Sequence, residues 1–126
     1  MVVNLLIAYL WFHPRPFMLG LGTNFMKHAP DASFPSDHMT TASAVAWVYV
    51  LARQKVLGGF FTLLALAVGW ARIYLGVHFP LDMVGSVVVA WCAACLMNIL
   101  WPKIGEGLMF RLEQLYRTLF PVPIRH

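Results

Sequence analysis

The chain consists of long apolar runs separated by short polar connections, a pattern typical of membrane helices. Three runs are long enough to cross a bilayer as helices: residues 36–52, 56–75 and 81–101. At the helical rise, the first is about 25 Å long and the other two about 30 Å. The connections 53–55 and 76–80 are short, so we predict that the first two spans form an antiparallel hairpin.

Three other segments flank or separate these spans. Residues 1–12 are apolar for only 12 residues, which is too short to span, so we interpret them as the second half of a span in an N-terminally truncated chain. Residues 13–35 are rich in Pro and Gly, and long ordered loops tend to be functional. From Ile104 to Leu119, apolar side chains recur at helical spacing. That spacing predicts a surface-lying amphipathic helix, with a partner-binding helix as the alternative.

The composition sets the class of protein. Of the 126 residues, 60% are hydrophobic and 11% are charged, whereas about a quarter of the residues in a soluble domain are charged. We therefore predict a single membrane-embedded domain over residues 1–126. Its fold is expected to be an all-α bundle of three complete spans, a partial N-terminal span and the C-terminal amphipathic helix. Cys92 and Cys95 lie in an apolar helical run, where helix packing is the expected role.

The distribution of positive charge along the chain indicates how the helices are oriented in the membrane. The net charge of +4 arises from the 53–55 turn and from the segment after residue 101. The positive-inside rule makes both cytoplasmic, so the 13–35 loop and the 76–80 turn are expected on the opposite, external face. No basic motif for nucleic acid is present.

Ionisable side chains are predicted to meet at this external face. Going from His38 to the end of the first span takes 14 residues, and 16 separate the start of the second span from Arg72. Both distances correspond to about 21–24 Å of helix, so the two side chains return to nearly the same depth. His78 follows in the turn and Asp82 one helical turn later. Ionisable groups are costly inside a membrane, so such a cluster points to function.

The histidines and the carboxylate suit phosphoryl transfer. His78, if neutral, can attack phosphorus, and Asp82 is well placed to hold its other ring nitrogen. His38 can protonate the leaving oxygen.

The arginines and a helix start would bind the phosphate. Arg72 can grip phosphate oxygens with its planar fork, and Arg15 could be a second such group. Ser36 is a good N-cap, after which the helix amides favour an anion. No metal or other cofactor is expected, because these groups neutralise the developing charge.

Other readings remain open at this point. Each histidine alone is consistent with a structural hydrogen bonder, and Arg72 could simply pair with Asp82. A metal site is chemically possible from four side chains: His38, His78, Asp37 and Asp82.

The order and spacing of these candidate site residues resemble the signature of a known protein family. "RP" at 15–16, "PSDH" at 35–38 and "ARIYLGVHFPLD" at 71–82 resemble the three-part signature of the type 2 phosphatidic acid phosphatase superfamily, which includes vanadium haloperoxidases. The resemblance covers about residues 13–101. It implies a helical membrane fold, a phosphohistidine intermediate at His78, acid catalysis by His38 and metal-independent hydrolysis.

Within that superfamily the chain looks most like the bacterial undecaprenyl-diphosphate phosphatases linked to bacitracin resistance, on the basis of "HPRPF" at 13–17, "HAPDASFPSDH" at 28–38 and "GVHFPLDM" at 76–83. This resemblance implies a multi-pass protein of the bacterial inner membrane. Its substrate would be a polyprenyl diphosphate lipid, hydrolysed to the monophosphate and phosphate on the periplasmic or external side to recycle the cell-wall lipid carrier.

Three positions depart from the signature. Ala8 stands where the family has a lysine, and Lys27 is a candidate source of the missing charge. Asp37 replaces the motif glycine, and a carboxylate beside a phosphate is repulsive unless it is turned away or paired. Ala71 replaces a serine.

Two alternative functions remain open at this point. The chain could be a phosphatase for another lipid phosphate, such as phosphatidylglycerophosphate or phosphatidate, or it could be an inactive truncated remnant. A transporter is disfavoured because no internal repeat is present.

Overall fold

The computed structural model describes residues 2–21, 23, 25 and 28–120. In these residues the secondary structure is helical, with no strand, which confirms the all-α prediction. The elements, in chain order, are α1 (Val2–Leu10), a 3₁₀ helix (Pro16–Leu19), α2 (Asp37–Leu51), α3 (Lys55–Tyr74) and α4 (Pro80–Leu119). The chain divides into two compact units, Met1–Ala94 and Cys95–His126.

Helices α2 and α3 form the predicted antiparallel hairpin. Near the turn, Gly58 lies against Val50, and far from it Gly69 lies against Met39. The sequence separation of contacting residues decreases toward the turn, as expected for two antiparallel helices. The turn itself contains Arg53 in the left-handed conformation, with φ of 57°. This hairpin sets the N-terminus of α2 and the C-terminus of α3 at the same end.

The start of α4 is fixed by its own first residues. Pro80 is its first residue, where the missing N–H and the fixed φ are compatible with a helix start. Two residues later, the Asp82 carboxylate accepts a hydrogen bond from the Phe79 backbone N–H at 2.8 Å. This reciprocal contact is one half of a capping box.

A second set of contacts holds the start of α4 against the start of α2. The Ser36 backbone N–H donates to the Ser86 hydroxyl at 2.8 Å. One residue earlier, a Cβ added at Gly85 would lie 2.1 Å from an edge carbon of the Phe34 ring. Glycine is therefore required for this close approach of α4 to the loop.

The two longest helices are apolar and expose most of their side chains. Lys55–Tyr74 and Pro80–Leu119 are each long and apolar enough to cross a membrane, and only 17% and 22% of their most apolar stretches are buried. A core helix of a soluble protein would bury most of that surface, so the exposure supports a lipid environment. Helix α2 has 15 residues, shorter than the first span predicted from the sequence.

Helix α4 does not end where the sequence predicted. The expected break near residue 101 is absent, and the helix continues through Pro102 to Leu119. Proline disfavours a helix interior because it lacks an N–H, yet Pro102 lies inside this helix. In the second unit, nearly every described side chain is exposed, and Arg117 pairs with Glu113 at 2.8 Å.

Candidate active site

Three of the predicted residues line one cavity. Arg15 comes from the loop after α1, His38 from the first turn of α2 and His78 from the turn before α4. The cavity has a volume of about 220 Å³. The rest of its wall is formed by α1 and the 28–37 segment: Asn4, Leu5, Ala8, His28, Asp31, Ala32, Pro35 and Asp37.

His78 is buried and contacts side chains through both ring nitrogens. Its Nε2 lies 3.0 Å from Nη1 of Arg15. On the other side, its Nδ1 is 3.6 Å from Oδ2 of Asp82, too far for a good hydrogen bond. The Ser33 hydroxyl lies between them, 3.3 Å from His78 Nδ1 and 2.5 Å from Asp82 Oδ2. Asp82 therefore reaches the imidazole through Ser33, where the sequence predicted a direct contact.

Arg15 is held mainly by the protein itself. Its Nε donates to Asp31 at 2.7 Å, and its two terminal nitrogens donate to the carbonyl oxygens of Val77 at 3.0 Å and Ala32 at 3.3 Å. With the contact to His78, these bonds use most of the five guanidinium N–H groups. Arg15 therefore fixes the turn that carries His78 as well as facing the cavity.

Arg72 and Ser36 lie close to this cavity but are not among its lining residues. The guanidinium of Arg72, in the last turn of α3, donates no hydrogen bond to another described residue, and its charge acts on Arg15 and His38. Ser36 is the N-cap of α2, as predicted, and its fully buried hydroxyl accepts from the Met39 N–H at 3.5 Å.

An apolar groove adjoins the polar cavity. It has a volume of about 410 Å³ and lies between α2 and α3. Its apolar wall is formed by Thr41, Ala42, Val45, Phe61, Leu64 and Val68. Asp37 and His38 line both the groove and the cavity, so the two spaces meet at the start of α2.

Comparison with known proteins assigns the family. The family model described as the PAP2 superfamily matches residues 1–106. The chain belongs to the PAP2 superfamily. This assignment confirms the resemblance seen in the sequence, because the three motif segments all fall inside the matched region.

Curated relatives extend this PAP2 assignment. The chain is 38% identical to the Escherichia coli protein "Putative undecaprenyl-diphosphatase YbjG" over 98% of this chain and 62% of that protein. It is 42% identical to "Undecaprenyl-diphosphatase BcrC" of Bacillus subtilis over 71% of this chain and 46% of that protein. A "Lipid A 1-phosphatase" of Rhizobium etli is 31% identical over 79% of this chain and 43% of that protein. The PAP2 chain thus spans less than two thirds of the length of each. No solved structure matches it.

Asp37, which departs from the signature, has a hydrogen-bond partner on α1. Asn4 is buried, and its side-chain amide donates to the Asp37 carboxylate at 2.7 Å and to the Thr40 hydroxyl at 3.1 Å. The Asp37 carboxylate in this PAP2 chain is therefore paired. Ala8, at the family's lysine position, lines the cavity, and Lys27 lies outside the described residues.

The candidate metal site drawn from the sequence has no support in the side-chain geometry. Among the described residues, no group of three or more His, Cys, Asp or Glu side chains is arranged to hold a metal ion.

Sequence reasoning missed Ser33, Asn4 and Asp31. Asn4 had a signal, since it is the polar residue in the apolar segment 2–10. Ser33 and Asp31 had none, because their partners lie far away in sequence.

Proposed function

We propose that this chain is the catalytic core of a membrane lipid phosphatase that hydrolyses undecaprenyl diphosphate to undecaprenyl phosphate and phosphate. The reaction would proceed through a phosphohistidine at His78. It would regenerate the lipid carrier of cell-wall synthesis and support bacitracin resistance. The names of the two undecaprenyl-diphosphatase relatives support this substrate.

The observation that carries the proposal is the junction of two unlike spaces at His38. A polar cavity suits a diphosphate, and the adjoining groove suits an isoprenoid tail. A lipid that lies across the junction would have its terminal phosphate near His78 and its lipid-bound phosphate near His38.

In the first step, His78 Nε2 attacks the terminal phosphorus. The N–P bond forms as the bond from phosphorus to the bridging oxygen breaks, and the electron pair leaves with that oxygen. His38 donates a proton to this oxygen, so that undecaprenyl phosphate departs.

In the second step, water attacks the phosphorus of the phosphohistidine. His38, now neutral, accepts a proton from the water, the N–P bond breaks and inorganic phosphate is released. His38 thus acts as acid and then as base, and both catalytic histidines end as they began.

The phosphate would be bound by hydrogen-bond donors that are close to the site and are not used by other protein groups. The side chain of Arg72 has no hydrogen-bond partner among the described residues, so its fork is open to phosphate oxygens. The backbone amides of Asp37 and His38 at the start of α2 add further donors, next to the Ser36 cap. Arg15 would exchange its contact with His78 for a phosphate oxygen. This mechanism uses no metal, because cationic groups and amides neutralise the charge.

The same proposal includes a bilayer setting. We infer that α2, α3 and the first part of α4 cross the inner membrane, and that the 104–119 segment of α4 is amphipathic. The active site would face the periplasm or cell exterior, because the basic 53–55 turn is at the opposite end of the hairpin.

Replacement of His78 tests the chemistry. Purified His78→Ala protein should release no phosphate from undecaprenyl diphosphate and should form no acid-labile phosphoenzyme. His13→Asn is a matched control, because His13 contacts the rings of Trp11 and Phe79 and does not line the cavity. Turnover by His78→Ala at the wild-type rate would disprove the mechanism, and no phosphate release by the wild-type chain would disprove the function.

Filling the groove tests the lipid class. Ala42→Phe places a ring in the groove and should raise KM for undecaprenyl diphosphate while leaving a short-chain, water-soluble diphosphate unaffected. Leu63→Phe is the control, because Leu63 is 70% exposed and lies outside the groove. An equal effect of Ala42→Phe on both substrates would contradict the tail position. A preference of the wild-type chain for lipid A or phosphatidate would instead favour the second substrate class, which the Rhizobium etli relative supports.

A further inference from the structure

Ser33 is a buried hydroxyl between the proposed nucleophile and its carboxylate. Its side chain is completely inaccessible to solvent. Its backbone N–H donates to the His13 carbonyl at 2.7 Å, which fixes the position of the loop. Its hydroxyl lies within hydrogen-bond distance of both His78 Nδ1 and Asp82 Oδ2.

The donors and acceptors around His78 allow only one neutral form of its ring. Arg15 can donate and cannot accept, so the Nε2 atom 3.0 Å away must be the acceptor, without a proton. The proton of the neutral imidazole must then be on Nδ1.

The other side of the ring leads to the same result independently. A carboxylate only accepts, so the Ser33 hydroxyl donates its single proton to Asp82. Ser33 has no second proton for His78, so it accepts from Nδ1–H. The chain of bonds runs from Nδ1–H to the Ser33 hydroxyl and on to the Asp82 carboxylate.

We propose that Ser33 is a positioning residue that holds His78 in the Nδ1-protonated form, with the Nε2 lone pair free to attack phosphorus. This inference rests on the proposed function for its catalytic consequence, but the state of the ring can be measured without substrate. Without Ser33, the gap of 3.6 Å between Nδ1 and Asp82 is too long for a direct bond. Once Arg15 has exchanged its contact with His78 for a phosphate oxygen, the ring of a chain without Ser33 could carry its proton on Nε2, where it would block attack.

The relay also acts after the attack. When Nε2 binds phosphorus, the ring becomes positively charged and keeps its proton on Nδ1. Ser33 and Asp82 stabilise that charge through the hydrogen bonds already formed, so no group has to move during the step. Loss of a triad residue that fixes the tautomer of a catalytic histidine costs about 10⁴-fold in kcat in serine proteases. Loss of an outer partner of a metal-bound histidine costs about 10–100-fold.

The test compares Ser33→Ala with Ser43→Ala in the full chain, reconstituted in lipid nanodiscs. Ser43 is a matched control, because it is also buried but its hydroxyl has no hydrogen-bond partner among the described residues. The first measurement is the ¹⁵N NMR spectrum of labelled histidines, with His78 assigned by its loss in His78→Ala. With inorganic phosphate added to engage Arg15, wild-type and Ser43→Ala proteins should show a protonated Nδ1, whereas Ser33→Ala should show protonation moved partly or wholly to Nε2.

The second measurement is steady-state hydrolysis of undecaprenyl diphosphate. Ser33→Ala should lower kcat about 10–100-fold with KM nearly unchanged, because the ring and not the binding site is altered. An unchanged His78 spectrum in Ser33→Ala would overturn the inference whatever the activity, and so would a wild-type kcat. If the wild-type chain releases no phosphate, the proposed function fails, while the spectra still decide whether Ser33 sets the tautomer.

Discussion

Arg15 offers a quantitative test of the site's construction, through the variant Arg15→Lys. The guanidinium uses three different nitrogens to reach Asp31, the Val77 carbonyl and the Ala32 carbonyl. A lysine keeps the charge, but its N–H groups radiate from one nitrogen and do not reproduce the planar fork that reaches two separate carbonyls, so we expect one of the two bonds to be lost. The carbonyl that loses its bond is left without its partner at a cost of about 1–3 kcal/mol. The Asp31 contact adds little, because 58% of that side chain is exposed and water replaces the bond.

The measurement is the free energy of unfolding in detergent micelles, from a denaturant titration of each variant. We expect Arg15→Lys to be less stable than wild type by about 1–3 kcal/mol, a factor of about 5 to 150 in the folded-to-unfolded ratio. Arg117→Lys is the control, because Arg117 and its partner Glu113 are 75% and 60% exposed, and such surface changes alter stability by less than about 0.5 kcal/mol. Equal stability of the two lysine variants would refute the conclusion that Arg15 fixes the turn.

Two further predictions concern the space around Gly85 and the hydrogen bond between Asn4 and Asp37. Gly85→Ala should lower the free energy of unfolding by about 1–3 kcal/mol, because the Phe34 ring must move. Gly59→Ala, with open space around it, should raise that energy by up to about 1 kcal/mol. A denaturant titration that ranks the two variants the other way would show that Gly85 does not lie against Phe34. Asn4→Ala should raise KM for undecaprenyl diphosphate about fivefold, because without the amide donor the Asp37 charge is less screened and repels phosphate more strongly by roughly 1 kcal/mol. Adding Asp37→Gly to that variant should restore KM, and steady-state kinetics showing no recovery would exclude repulsion as the cause.

Much of the helical architecture follows from local signals in the sequence. Hydrophobic run length locates α2 and α3 to within a residue or two, and Ser36 marks the helix start because its hydroxyl can satisfy an amide that the helix leaves free. The turn at 53–55 is similarly readable. These features depend on residues that are neighbours along the chain.

The rest of the site depends on contacts between distant segments. Ser33 is 45 residues from His78 and 49 from Asp82, and no local pattern marks a serine as the bridge between them. Arg15 was expected to serve the phosphate, yet most of its bonds go to protein groups that only the folded chain brings near. The apolar run pattern predicted a third span that ends near residue 101, and no local signal in the sequence indicates that α4 continues through Pro102.

A single carboxylate oxygen of Asp82 accepts two hydrogen bonds with different roles. That oxygen accepts both the Phe79 N–H that begins α4 and the Ser33 hydroxyl that leads to His78. A substitution there would disturb the folding of the helix together with the alignment of the imidazole. Selection for a well-folded chain alone would then preserve this residue of the candidate site, independently of any selection for the proposed activity.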